Sequence, residues 1–213
     1  TLCTYLCRAL GEFTIPEAAA PLVVRADDAA HPEIAQAAVE GLAVLATNLT
    51  AAGRSFQDPA KVTAAIIAAT RSSEREPRGS ATFALGVVGG DGARERLREL
   101  CEDVDDNVRY NAALGLARLG DSFAWETLAE MLTLSDVAVR PDDPRSQADR
   151  YRRAMIVANA LKGVGLLVDD TSEPPPAEIM KAIEGLRDDA VGDVQQGAKA
   201  VLKRIERLAE RPS

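Results

Sequence analysis

The sequence predicts an all-α fold, an α-solenoid of about five stacked helical hairpins, and three observations carry that expectation. The first is the stretch DVDDNVRYNAALGLARLG at residues 103–120. Asp105 or Asp106 suits the cap that satisfies free N–H groups in a first helical turn, and Gly120 suits the left-handed residue that ends a helix. Between them Val108, Ala112, Leu116 and Leu119 recur at helical spacing as one apolar stripe. Ala113, Gly115 and Ala117 flank it with almost no side chain, so other helices can come close on either side. The second observation is recurrence. Leu10, Leu45, Val88, Leu119, Val164 and Ile205 are equivalent, at steps of 35, 43, 31, 45 and 41 residues, the differences between those positions. An unequal period of that size is what a two-helix unit with variable loops produces. The third is composition: hydrophobic residues make up 46% of the 213 but aromatics only 4%, so the core consists of many thin layers of small side chains.

Taken in order, the chain opens at Thr1 inside the second helix of a hairpin, ending at Gly11. A solenoid end without a polar capping unit leaves an apolar face open, so residues upstream or another chain are expected to meet this face. A first helix begins near Pro16-Glu17, delayed or kinked by Pro21. Ile34, Ala38, Leu42 and Leu45 mark the next second helix, followed by a loop over residues 46–57. Asp58-Pro59 is a cap with proline in the first helical position. Ala81, Leu85 and Val88 mark another second helix, and the cluster Gly86, Gly89, Gly90 and Gly92 ends it. A short helix with Leu97 and Leu100 inward precedes the central stretch. Ser122 is positioned to cap the helix of Trp125, Leu128, Met131 and Leu132. Loops are expected over residues 135–148 and 167–175, around the helix of Val157, Leu161 and Val164. Pro176-Ala177-Glu178 starts the last first helix, and Val194, Ala198, Leu202 and Ile205 mark the last second helix. The register continues across both loops, so residues 1–213 are expected to form a single domain.

The inventory excludes several chemistries. A net charge of −8 and a pI near 4.8 argue against nonspecific nucleic-acid binding, which needs surplus Lys and Arg. His31 is the only histidine, so no histidine-rich metal site can be built, and a helix start is its expected place. No G-x-S-x-G, P-loop or dinucleotide fingerprint occurs. The pairs Asp105-Asp106, Asp142-Asp143 and Asp169-Asp170 read as caps and solvated loops, and Asp105 and Arg109 as a structural ladder within or between repeats. Cys3, Cys7 and Cys101 make no even framework, which suits small buried groups in a reducing compartment, and a cytoplasmic location is expected. No apolar run of membrane-spanning length is expected.

Asp105, Val108, Arg109, Ala112, Ala113, Leu116 and Leu119-Gly120 resemble a HEAT repeat, in particular the bacterial variety called PBS-lyase HEAT-like. The resemblance is closest over residues 103–121 and extends in weaker form over nearly the whole chain. Pro77 and Arg153 stand where the family prefers valine. The resemblance implies a right-handed superhelical stack, second helices lining a concave surface, and a binding role. With His31 as its only histidine the chain is set apart from deoxyhypusine hydroxylase, a HEAT-type iron enzyme, and its acidity weakens a likeness to the HEAT-like DNA glycosylases.

On each second helix the face opposite the stripe is the candidate site. Its residues are Phe83, Val87, Tyr110, Asn111, Leu114, Arg118, Met155 and Asn159, with Gln36, Glu40, Val44 and Ser80 at equivalent positions. An apolar centre with polar ends suits a protein or peptide partner, Arg118 orienting an acidic or carbonyl group. The expected function is a noncatalytic interaction scaffold with no cofactor, metal, nucleic-acid or membrane partner. The alternatives are a lyase-like or cofactor-holding accessory protein, or a spacer within a larger chain.

Overall fold

In the computed structural model, residues 1–135, 143–170 and 174–209 are described, and they form helices, with no strand among them. Contacts divide the chain into two compact units, Thr1–Leu119 and Gly120–Ser213, where the sequence led to one domain over 1–213. Each unit is an all-α stack of helical hairpins, the α-solenoid class.

The first unit holds α1 (Leu2–Gly11), α2 (Ala19–Arg25), α3 (Pro32–Ala51), α4 (Pro59–Ala69), α5 (Arg75–Val88), α6 (Ala93–Leu100) and α7 (Asp106–Arg118). Local chemistry sets their ends. Asp58 accepts from the Lys61 N–H ahead of α4, and Asp105 accepts from the N–H groups of Asn107 and Val108 ahead of α7. A single 3₁₀ turn at Pro16–Ala18 precedes α2, and Pro21 sits in that helix's first turn, where its missing N–H costs nothing. Gly89, Gly90 and Gly92 all have positive φ, so the glycine cluster closes α5 and starts α6. The Thr63 hydroxyl donates to the Gly89 carbonyl at 2.9 Å and ties this turn to α4.

Second helices α1, α3, α5 and α7 pack side by side, with α2, α4 and α6 as the other layer. Leu42, Leu85 and Leu116 fall three residues before the equivalent positions Leu45, Val88 and Leu119, and all three are fully buried between the layers with Leu22, Ile66 and Leu97. Two second-helix pairs touch backbone to backbone. A Cβ on Gly41 would meet the Cys7 carbonyl at 2.6 Å, and one on Gly86 would meet the Gly115 Cα at 2.5 Å.

Where the sequence placed a loop from residue 46, α3 continues to Ala51. Leu49 is buried, and Asn48 donates to the Gly11 carbonyl at 3.1 Å, so tertiary contacts reward the extra turn. With 20 residues α3 is also long and apolar enough to span a membrane, contrary to expectation, but most of its apolar side chains, Val44 excepted, are buried in the core of this unit.

Arg78 on α5 donates to both carboxylate oxygens of Asp103, at 2.8 and 3.0 Å, and the Asp105 N–H adds a third bond at 2.9 Å. Burial alone raises the pKa of Asp103, but these bonds outweigh it and hold the group below its ordinary 3.8. The stability this contributes is present above the ordinary pKa and is lost as pH falls through the lower folded value. Asp103→Asn is therefore expected to flatten the acid side of the stability curve between about pH 5 and pH 2, read by urea unfolding at each pH. An unchanged acid limb in the variant would refute this role. Arg109 pairs with Asp106 at 2.7 Å and donates to the Asp103 carbonyl at 3.1 Å, whereas Asp105 is used as the cap.

The second unit holds a 3₁₀ turn at Ser122–Ala124, then α8 (Trp125–Leu132), α9 (Pro144–Asp170), α10 (Ala177–Gly185) and α11 (Gly192–Ala209). Helices α9 and α11 pack together, as do α8 and α10, around Leu128, Met131 and Leu167. Asp121, not Ser122, caps the entry, accepting from the Phe123 N–H at 3.1 Å. α9 begins well before the position expected for it. Asp143 accepts from the Arg145 N–H at 3.0 Å ahead of Pro144, the same Asp-Pro start used by α4. It also runs three residues past Leu167, because Leu167 and Val168 are buried. Of the loops expected over 135–148 and 167–175, residues 136–142 and 171–173 lie outside the described residues, as does Asp142.

Arg153, expected near a helix start, lies well inside α9. It forms a buried ion pair with Asp189 at 2.6 Å and donates to the Leu134 carbonyl at 3.1 Å. The guanidinium replaces an apolar contact with a specific polar one.

Candidate binding face

On the second helices of the first unit, the residues opposite the core stripe form one face with a polar part and an apolar part. The polar part joins four helices, α1, α3, α5 and α7. Glu40 on α3 accepts from Gln36 at 3.0 Å, from the Ser80 hydroxyl of α5 at 3.2 Å and from Arg8 of α1 at 3.4 Å. Gln36 also donates to Ser80 at 3.2 Å, and Asn111 of α7 donates to the Gly79 carbonyl at 3.1 Å. These groups satisfy one another and hold the helices in register.

One turn further along are Val44, Phe83, Val87 and Leu114. Phe83 is 41% exposed and Val44 39%, with Val87 and Leu114 half-buried. The Arg118 guanidinium lies over the Phe83 ring, 5.5 Å from its centroid. Although Arg118 is an exposed residue, the surrounding side chains strip water from its guanidinium and lower its pKa below the ordinary arginine value. That leaves a cation held over an aromatic ring, at the edge of exposed apolar surface. An acidic or carbonyl group can neutralise it, and an apolar side chain can cover Phe83.

Thus Phe83, Val87, Asn111, Leu114 and Arg118 share one face. Tyr110 is placed differently: it is buried, with the Arg109 guanidinium 5.8 Å from its ring centroid. Met155, 47% exposed, and Asn159, half-buried, lie on α9 in the second unit, on the side of that helix which also shows Tyr151 and Leu166. Tyr5, 72% exposed on α1, was missed from the sequence. The register would have found it, since it lies five residues before Leu10 just as Leu114 lies five before Leu119.

His31 stands at the N-cap position of α3, its Nδ1 3.2 Å from Asp28, which that contact holds below the ordinary carboxylate pKa. Among the described residues no group of three or more His, Cys, Asp or Glu could hold a metal ion. Burial raises the Cys7 thiol above its ordinary pKa, the direction opposite to that of a reactive thiolate.

A family model for HEAT repeats matches residues 62–141. Among solved structures, an engineered protein is similar over 95% of this chain and 89% of its own, at 18% identity and a TM-score of 0.53. A second engineered protein is similar over 94% of this chain and 53% of its own, at 18% identity and a TM-score of 0.50. Human deoxyhypusine hydroxylase, solved in complex with glycerol, aligns over 97% of this chain and 80% of its own, at 17% identity and a TM-score of 0.44. No curated protein matches the sequence. The family match spans α4 to α8, so residues 62–141 carry HEAT repeats, and the helical hairpins described above have the α-solenoid architecture of the engineered proteins.

Proposed function

We propose that the protein is a noncatalytic interaction scaffold whose second helices bind a protein or peptide segment. HEAT repeats are commonly interaction scaffolds, and the observation that carries the reading here is Arg118 stacked on the exposed ring of Phe83, beside Val44, Val87 and Leu114. Exposed apolar area supplies the binding energy, and the cation selects a carboxylate or carbonyl beside it. Asn111 and its neighbours hold the helices that present this patch. Met155 and Asn159 of α9 are proposed as a second contact surface, and a cytoplasmic setting belongs to the same reading.

The test is affinity capture from native lysate, with Phe83→Ala and Arg118→Glu run beside the unchanged protein. Both replaced side chains are exposed, so the fold is expected to survive, as checked by circular dichroism. A stoichiometric partner is expected on the unchanged chain, and a loss of binding of about tenfold or more for each variant, about 1.4 kcal/mol. A partner retained equally by both folded variants would overturn the assignment of this face.

A further inference from the structure

Two ion pairs join a second helix to the turn that precedes the next one: Arg78 of α5 meets Asp103, and Arg153 of α9 meets Asp189. The two carboxylates occupy one place in the repeat. Asp103 and Asp189 each lie 16 residues before the equivalent positions Leu119 and Ile205, and each accepts from the N–H two residues on, those of Asp105 and Val191. Ser72 lies 16 before Val88 and accepts from the Glu74 N–H at 3.3 Å, so it makes the same turn with a hydroxyl in place of the carboxylate. The cationic half is missing as well. Ala35 lies 10 before Leu45 just as Arg78 lies 10 before Val88, so between α3 and the turn ahead of α5 neither partner of the ion pair is present.

A hollow of about 370 Å³ occupies that place, with Ala35 and Ser72 both on its wall. Ala26, Val39, Ala69 and Pro77 are its other buried lining residues and make an apolar floor. The rim carries three carboxylates, Asp27, Asp28 and Glu74, against one cation, Arg71. Asp28 is already engaged by Arg25 and His31, whereas among the described residues no ion pair takes up Asp27 or Glu74, and both are exposed. One repeat later the corresponding space holds the Arg78 guanidinium, which also donates to the Ser72 and Ser73 carbonyls at 2.9 and 3.2 Å. Ala29, six before Ala35 as Ser72 is six before Arg78, likewise lines the hollow.

We propose that this hollow takes an arginine side chain of a bound peptide, its guanidinium filling the place that Arg78 fills in the next repeat. The methylene stem covers the apolar floor, as long cationic side chains do when only their heads stay polar. The planar fork has donors for Asp27, Glu74 and the second lone pair of the Ser72 hydroxyl, several acceptors at once that a compact ammonium serves less well. An acidic group would instead meet the excess of carboxylates on the rim. No residue of the hollow belongs to the patch of Phe83 and Arg118, so the two sites stand or fall separately.

Nitrogen-15 NMR titration of the 213-residue chain with acetyl-glycyl-arginyl-glycinamide tests this, beside the same peptide carrying lysine or citrulline, which keeps the shape of arginine without its charge. The arginine peptide is expected to bind at roughly 1 mM, a value suited to one anchoring side chain, with shifts concentrated at residues 26–35 and 71–77. The lysine and citrulline peptides should bind at least about fivefold more weakly. Ala35→Arg with Ser72→Asp rebuilds the missing pair inside the hollow and should abolish binding. Asp27→Asn with Glu74→Gln changes only exposed side chains, so the fold survives, and should weaken binding about fivefold, the loss expected for two partly solvated charge contacts. No saturable shift up to about 20 mM, far above the expected constant, overturns the proposal, as does equal binding of the three peptides. Undiminished binding by the folded Ala35→Arg/Ser72→Asp variant, or by the Asp27→Asn/Glu74→Gln variant, overturns it too.

Discussion

Gly115→Val is expected to destabilise the first unit by about 3 kcal/mol or more, one of the two largest effects foreseen for this protein. A Cβ at position 115 would stand 2.9 Å from the Gly86 Cα and 3.1 and 3.2 Å from the two Leu97 methyl groups. The Leu97 side chain can shift slightly, but the α5 backbone cannot move without disturbing α3 and α6, which pack on its other sides. Two opposing effects meet here. A larger residue favours the helix by up to about 1 kcal/mol over glycine, whereas the collision separates two helices whose packing is the core. The steric cost wins because the contacting atoms are main chain. Gly185→Ala is the control: nothing lies within 4 Å of its added Cβ, so it should be neutral or mildly stabilising. Urea unfolding followed by circular dichroism measures both, and hydrogen exchange locates the loss in α5 and α7. Equal stabilities for Gly115→Val and Gly185→Ala would show that the helix contact is looser than described.

The second large effect is expected at Arg153 and Asp189. Their side chains are 7% and 5% exposed, and the Asp189 carboxylate also accepts from the Val191 N–H at 2.9 Å. Arg153→Met leaves that carboxylate buried without its counter-charge, and Asp189→Leu leaves the guanidinium so, each costing about 3–5 kcal/mol. The double variant is expected to be more stable than either single one, because two buried charges then disappear together. It should not reach the parent, since the bonds to the Val191 N–H and the Leu134 carbonyl are lost as well. Urea unfolding of all four proteins gives the coupling energy. Strictly additive losses would mean that the pair does not hold α9 to the turn before α11.

These expectations bear on function through one physical link. The binding proposed for the second-helix face would require Phe83 and Arg118 to keep fixed positions on adjacent helices. The Gly86–Gly115 contact sets the spacing of α5 and α7, and the mesh of Gln36, Glu40 and Ser80 sets that of α3 and α5. A partner would therefore meet a surface whose geometry is largely organised beforehand, which lowers the ordering cost of association.

Much of this was legible in the amino-acid sequence. Helical periodicity, Asp-Pro and Asp caps, and glycines at positive φ are local signals, and they determined the α-helical class, the repeat register and the starts of α4 and α7. The same logic located Phe83, Leu114 and Arg118 on one side of their helices, because the side of a helix follows from residue spacing alone. Tertiary structure decided the rest. It extended α3 and α9 where Leu49, Leu167 and Val168 found a core to enter. It buried Tyr110 and set Arg118 on Phe83, a contact between residues 35 positions apart that no local pattern encodes. It also paired Arg153 with Asp189 at a position where the repeat pattern asks for valine. Spacing along one chain specifies which way a side chain points, but what it meets depends on how closely the next helix packs, and at α5 and α7 that distance is set by two glycines.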